Sequence, residues 1–176
     1  IRAKSTVKTI QLLGCYDVAL NGDLIFSVPK GELISDGMPY DWYLKGDTRD
    51  FGFFITPKGL DFVKTYATGI GPWKPFIIPY TATDVNKDGI ADDINGDSKI
   101  NENDKMALPP TSLINEAHKR GLQVHAYTFR NESHHLLSDY NNNPLLEYLA
   151  FYRLGLDGVF SDFSDTAIQA RLLDFK

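Results

Sequence analysis

Oxygen-bearing side chains recur at a regular spacing in one stretch of this sequence. Asp93, Asn95, Asp97, Asn101 and Asp104 fall at positions 1, 3, 5, 9 and 12 of a twelve-residue run, with the backbone carbonyl of Lys99 at position 7. Calcium takes about 6–8 hard oxygens in a flexible shell, and loops of this length supply them from those positions. Ile100, at position 8, is the residue expected to anchor the loop, while Ser98 stands at position 6, where glycine is preferred. Upstream, Asp84, Asn86, Asp88 and Asp92 repeat the spacing, with Gly89 at position 6 and Asn95 as a weak twelfth residue. The two runs overlap, so a single site and two ions sharing ligands are both open. The segment reads as a structural Ca2+ loop that staples a long connection, or else as a solvated acidic loop.

Charge supports a local device. Residues 84–104 hold seven acids and two bases, which accounts for the whole net charge of -5; the other residues balance at sixteen of each sign. A neutral body leaves no electrostatic footprint for a nucleic-acid backbone. No apolar run approaches the ~20 residues of a helical membrane span. The single cysteine, Cys15, excludes an internal disulfide and reads as a small core hydrophobe. Ile1-Arg2-Ala3-Lys4-Ser5 has no apolar stretch of the signal-peptide kind, so no signal peptide is expected, and the chain does not begin with Met, so it is expected to be processed or cut from a longer one.

The elements that position such residues alternate between strand and helix. Leu24-Ile-Phe-Ser-Val28 reads as a buried strand between Asn21-Gly22 and Pro29-Lys30-Gly31. Thr56-Pro57 opens a helix running to about Thr68, and Gly69-Ile-Gly71-Pro72 is a short strand. After the acidic insertion, Pro110-Thr111-Ser112 caps a helix that Gly121 ends, and residues 122–129 form a strand. Asn143-Pro144 opens a third helix, with Leu145, Leu146, Leu149, Tyr152 and Leu154 as its apolar face. Residues 157–161 are the last strand. The final helix, capped by Ser164 or Asp165, carries Ala167, Ile168, Leu172 and Leu173. Four β-loop-α units argue for an α/β fold with a parallel sheet, either a small open sheet or half of an eight-unit barrel.

Three motifs carry a resemblance. Tyr66-Ala-Thr-Gly-Ile-Gly-Pro-Trp73, Ala117-His-Lys-Arg-Gly-Leu-Gln-Val-His-Ala-Tyr-Thr-Phe-Arg130 and Gly155-Leu-Asp-Gly-Val-Phe-Ser-Asp-Phe163 resemble segments of the glycerophosphodiester phosphodiesterases in order and spacing, and Tyr40-Asp41-Trp42 is similar to a loop of their periplasmic type. The resemblance runs from about Gln11 to Leu173, the insertion apart. It implies that residues 1–176 are the C-terminal half of a (β/α)8 TIM barrel in lipid metabolism. It also implies hydrolysis of a small glycerophosphodiester to an alcohol and glycerol 3-phosphate, assisted by Ca2+ or Mg2+ at the parent's catalytic site. The family's early constellation has no full counterpart here: there is no His-Arg dipeptide, no histidine before His118 and no Glu-x-Lys. The catalytic residues are therefore expected upstream of Ile1. The partner would be the missing N-terminal half of the barrel or an oligomer mate. Weak calcium loops suit a periplasmic or extracellular protein. The alternative is a non-catalytic calcium-binding α/β interaction module.

In a barrel, chemistry gathers at the C-terminal strand ends, which here are Val28-Pro29, Pro72-Trp73, Tyr127-Arg130 and Ser161-Phe163. Tyr127 could wall a pocket against the glycerol, or be a core aromatic; Trp73 could form its lip, or pack on the surface. Arg130 could bind a phosphate oxygen, or be a solvated loop arginine. Asp162 could orient neighbouring loops, or cap the last helix. His118 reads as a surface or staple residue, His125 as core or pocket, and His134-His135 as a poor metal pair whose rings point apart. Asn131-Glu132-Ser133 is a glycosylation sequon, meaningful only in a eukaryotic secreted protein.

Overall fold

The computed structural model describes residues 6–174; the reading of Ile1-Arg2-Ala3-Lys4-Ser5 lies outside them. Its centre is a four-stranded parallel sheet in the order β1-β4-β7-β8, formed by β1 (Ile10–Leu13), β4 (Gly69–Pro72), β7 (Gln123–Phe129) and β8 (Gly158–Ser161). Each strand pairs with the strand of the preceding unit: Leu12 with Gly71, Ile70 with Val124, Ala126 with Val159. Between them run helices α1 (Tyr40–Leu44), α2 (Pro57–Lys64), α3 (Leu113–His118), α4 (Pro144–Arg153) and α5 (Ser164–Asp174). This is an α/β fold, consistent with part of a (β/α)8 barrel.

The first strand is not the one expected. Leu24-Ile25 (β3) pairs antiparallel with Asp17-Val18 (β2), across a turn in which Gly22 has φ +93°. It therefore forms a surface hairpin and leaves the central sheet to residues 10–13. Phe26 lies edge-on to Phe76, and Val28-Pro29 does not end a strand of the parallel sheet. A second hairpin, β5 (Tyr80–Ala82) with β6 (Lys105–Ala107), holds the two ends of the acidic insertion together.

Local chemistry explains the helices. Thr56 Oγ1 accepts from Gly59 N at 3.0 Å with Pro57 in the first turn, and Asn143 Oδ1 accepts from Leu145 N at 3.1 Å. Gly121, φ +72°, closes α3 as expected. Helix α2 stops at Lys64, four residues short of Thr68; Tyr66 N tightens the turn onto Val63 O, and Thr68 N leaves the helix to donate to Thr9 O, which leads into β4.

The core lies between the sheet and the helices, with Leu13, Leu60, Val63, Ile70, Val124, Phe129, Tyr148 and Phe151 almost fully buried. Each aliphatic side chain contributes roughly 1.5–3 kcal/mol by leaving water. On α4 the fully buried residues are Glu147, Tyr148 and Phe151; of the expected apolar face, Leu145, Tyr152 and Leu154 pack against the core while Leu146 is exposed. Helix α5 buries Thr166, Ala167 and Ala170 and leaves Ile168, Leu172 and Leu173 exposed. Cys15 is half-buried and packs against the core, where burial pushes its thiol up to about 12. Among the described residues β1 and β8 each have a strand neighbour on one side alone. On them Leu12 is 52% and Phe160 43% exposed, as inner-layer residues of an unclosed barrel would be. Among the described residues no helix is long and apolar enough to cross a membrane.

Candidate functional site

The C-terminal ends of the parallel strands meet at one mouth. The backbone carbonyl of Leu13, at the end of β1, accepts from Trp73 N at 3.0 Å and from the Tyr127 hydroxyl at 2.8 Å. Trp73 and Tyr127 also form a parallel bridge. A cleft of about 250 Å³ opens beside them, lined by Trp73, Lys74, Glu102, Tyr127, Thr128, Arg130 and His135. Three of the four expected substrate-binding residues thus line one cleft. The fourth, Asp162, borders it through Arg130, whose Nε is 3.1 Å from Asp162 Oδ2.

The roles of these residues are narrower than their types suggest. The Tyr127 hydroxyl donates its proton to Leu13 O, and burial holds its pKa up at about 12, so it is a neutral wall with an engaged donor. Arg130 is gripped by Glu132, Nη2 to Oε1 at 2.8 Å and Nε to Oε2 at 3.2 Å; the guanidinium holds the Glu132 carboxyl down to about 2. One edge of its planar fork is therefore taken by Glu132 and Asp162, while Nη1 keeps its donors.

Sequence reasoning missed two further parts of the mouth. Lys74, two residues past β4, bonds Glu147 of α4, Nζ to Oε1 at 2.7 Å, and the two side chains are 12% and 3% exposed. Burial pushes Glu147 up to about 7 despite Lys74, and Glu147 Oε2 has no partner among the described residues. The pair borders a cavity of about 20 Å³ that shares Trp73, Lys74, Glu102 and His135 with the cleft and is also lined by Tyr80 and Tyr140. The second missed part is Glu102, whose Oε2 is 3.8 Å from His135 Nδ1. The signal for Lys74 was its place directly after Gly-Ile-Gly-Pro-Trp. The signal for Glu147 was an acid four residues before the core aromatic Phe151.

The other histidines take different places. His118 Nε2 meets Asp157 Oδ2 at 2.8 Å, and the same oxygen accepts from Val124 N, which staples the opposite end of the sheet. His125 packs against Gly158 and lies 6.3 Å from Phe160, on the inner face. The rings of His134 and His135 do not point apart; their centroids are 4.2 Å from one another. Asn131 Nδ2 donates to Thr166 Oγ1 at 2.8 Å, so the sequon's amide is tied into the fold.

The insertion folds as two similar turns. Positions 4 and 6 of both runs have positive φ: Lys87 and Gly89 in the first, Gly96 and Ser98 in the second. Asp84 accepts from Asp88 N and Gly89 N, Asn86 from Asp88 N, Asp88 from Ile90 N and Asp92 from Val85 N. Asp93 accepts from Gly96 N and Ser98 N, Asn95 from Asp97 N, Asp97 from Lys99 N and Asn101 from Asn103 N. The anchor is not Ile100, which is 51% exposed; it is Asp104, 1% exposed, whose carboxylate accepts from Ile94 N, Asn95 N and Asn101 N. Glu102-Asn103-Asp104 is a Glu-x-Asp tripeptide, yet its acids part: Asp104 closes the loop and Glu102 faces the mouth. Among the described residues no three His, Cys, Asp or Glu side chains gather to hold a metal ion. Asn103 and Asp139 dock the insertion onto the loop carrying His135, through Leu136 O at 3.2 Å and Ala107 N at 2.8 Å.

Residues 80–166, which span the second hairpin, the insertion, β7, α4 and β8, match the model of the Glycerophosphoryl diester phosphodiesterase family. Over that span the chain is similar to that family. The Tyr66–Trp73 motif lies ahead of the matched span. Glycerophosphodiester phosphodiesterase GDPD6 of Arabidopsis thaliana is 40% identical over 106 residues, 60% of this chain and 23% of that protein. Glycerophosphodiester phosphodiesterase GDPDL1 of the same plant is 34% identical over 125 residues, 69% of this chain and 13% of that protein. Protein SUPPRESSOR OF NPR1-1 CONSTITUTIVE 4, also from Arabidopsis thaliana, is 33% identical over 122 residues, 68% of this chain and 9% of that protein. The chain thus spans less than a quarter of the length of these relatives.

Proposed function

We propose that this chain is the C-terminal part of a phosphoric diester hydrolase that cleaves glycerophosphodiesters to an alcohol and glycerol 3-phosphate. The observation that carries the reading is the family match over the segment that brings Tyr127, Thr128 and Arg130 to the mouth. This chain supplies the wall of the pocket: Trp73 and Tyr127 as apolar faces toward the glycerol, and Arg130, oriented by Asp162, at its polar rim. The general acid and base, and the ligands of a catalytic Ca2+ or Mg2+, come from polypeptide outside this chain that closes the barrel. The half-open sheet with exposed Leu12 and Phe160 supports this division. The test is an assay of glycerol 3-phosphate release from glycerophosphocholine, by this chain alone and by a longer parent that supplies the early strands. Release is expected from the parent only. Turnover by this chain alone, or none by the parent, overturns the reading.

We further propose that residues 84–104 bind calcium as a structural staple, in a periplasmic or extracellular setting. The repeated turn geometry supports it. An ionised carboxylate has about four lone-pair sites, so each can keep its amide bond and still face an ion. Calorimetric titration is expected to give a Kd of about 10⁻⁴–10⁻³ M, the range of extracellular modules. Absence of both a binding heat and a chelator-induced thermal shift removes the claim.

A further inference from the structure

We propose that Lys74 is a binding residue for the phosphoryl group of the substrate, and that Glu147 is the residue that positions it. The inference rests on the reading of the mouth given under Proposed function and adds a contact to it.

Lys74 follows the C-terminal end of β4, where the parallel strands deliver reactive and binding side chains. It borders both the cleft and the smaller cavity that adjoins it. An ammonium has three N–H donors. Among the described residues one is committed, to Glu147 Oε1, and the nitrogen lies 5.5 Å from the Phe129 ring centroid. Arg130, the other cation lining the cleft, has Nε and Nη2 bound to Glu132 and Asp162. Lys74 is thus a cation in the cleft with donors left for an anion, held from behind by a carboxylate that cannot itself reach solvent.

Stability does not account for the pair. Desolvating two charges commonly offsets their attraction, and well-packed apolar residues of similar size hold such a position as well or better. Glu147 Oε2 is buried without a partner, an added cost that a purely structural contact has no reason to carry. A cavity of about 20 Å³ beside it has room for one water to satisfy that oxygen. The costly arrangement makes sense if the ammonium must be fixed and aimed.

The experiment is calorimetric titration of sn-glycerol 3-phosphate, inorganic phosphate and glycerol into the folded chain, with thermal unfolding measured in parallel. The wild type is expected to bind the two phosphates and not glycerol. K74Q should weaken phosphate binding at least tenfold, K74R should restore most of it, and E147Q should weaken it several-fold with no further effect on a K74Q background. The apolar double variant K74M/E147L keeps the test open if K74Q does not fold, since it should fold and lose phosphate binding. Phosphate affinity unchanged in K74Q or K74M/E147L overturns this inference while leaving the pocket reading intact. A wild type that binds neither phosphate also overturns this inference, whereas the reading under Proposed function falls only if the longer parent releases no glycerol 3-phosphate.

Discussion

Glu147 makes the stability of this protein depend on pH in an unusual direction. A carboxyl normally titrates near 4.5, and burial pushes this one up to about 7 in the folded state. Between those values the folded chain holds a proton that the unfolded chain has released, so stability falls as pH rises through the window. Below about 4.5 both states are protonated and the penalty is absent; above about 7 it is fully present. At 1.36 kcal/mol per pH unit the gap amounts to roughly 3 kcal/mol. Urea unfolding of the wild type and of Glu147→Gln at pH 5 and pH 8 isolates the effect, because the amide does not titrate. The wild type should lose roughly 2.5 kcal/mol more than the variant between the two values, read as a larger drop in midpoint at constant m. Asp47 and Glu132, both held down to about 2 by arginine partners, change their contribution below this window. Parallel pH dependence in the two proteins would refute the argument, whatever their absolute stabilities.

Asp104→Ala removes one carboxylate that three backbone N–H groups share, and should destabilise by at least about 2 kcal/mol. Limited proteolysis should then cut first within residues 84–104, and an unchanged digestion pattern counts against Asp104 as the anchor. Tyr127→Phe deletes the hydrogen bond to Leu13 O at about 1 kcal/mol while keeping the ring. It should lower the thermal midpoint by a few degrees and leave phosphate affinity within twofold; a larger loss of affinity would make the hydroxyl a substrate contact.

Much of this protein was legible in its sequence because it is written locally. Thr56-Pro57 and Asn143-Pro144 announce helix starts through their own hydrogen-bonding groups, and Gly121 announces an end through its positive φ. Four strand-helix units, the three family-like segments and the doubled acidic run are likewise patterns of neighbours along the chain. That Trp73, Tyr127, Arg130 and Asp162 gather at one mouth could be anticipated because strand ends in such a fold share one face.

Tertiary structure decided what depends on distant partners. Residues 10–13 rather than 24–28 enter the sheet because Leu24-Ile25 finds its partner in Asp17-Val18, a choice that strand-like composition does not settle. Helix α4 has enough leucines to suggest two faces, and the neighbours it meets select the one carrying Glu147, Tyr148 and Phe151. Lys74 and Glu147 stand 73 residues apart, and nothing in either neighbourhood predicts an ion pair that the packing of α4 against the end of β4 creates. Arg130 read alone was an open cation; with Glu132 and Asp162 in place it is an engaged one. Residue type and short spacing state which interactions are available, and burial with the third dimension selects among them by deciding which charges must be paired.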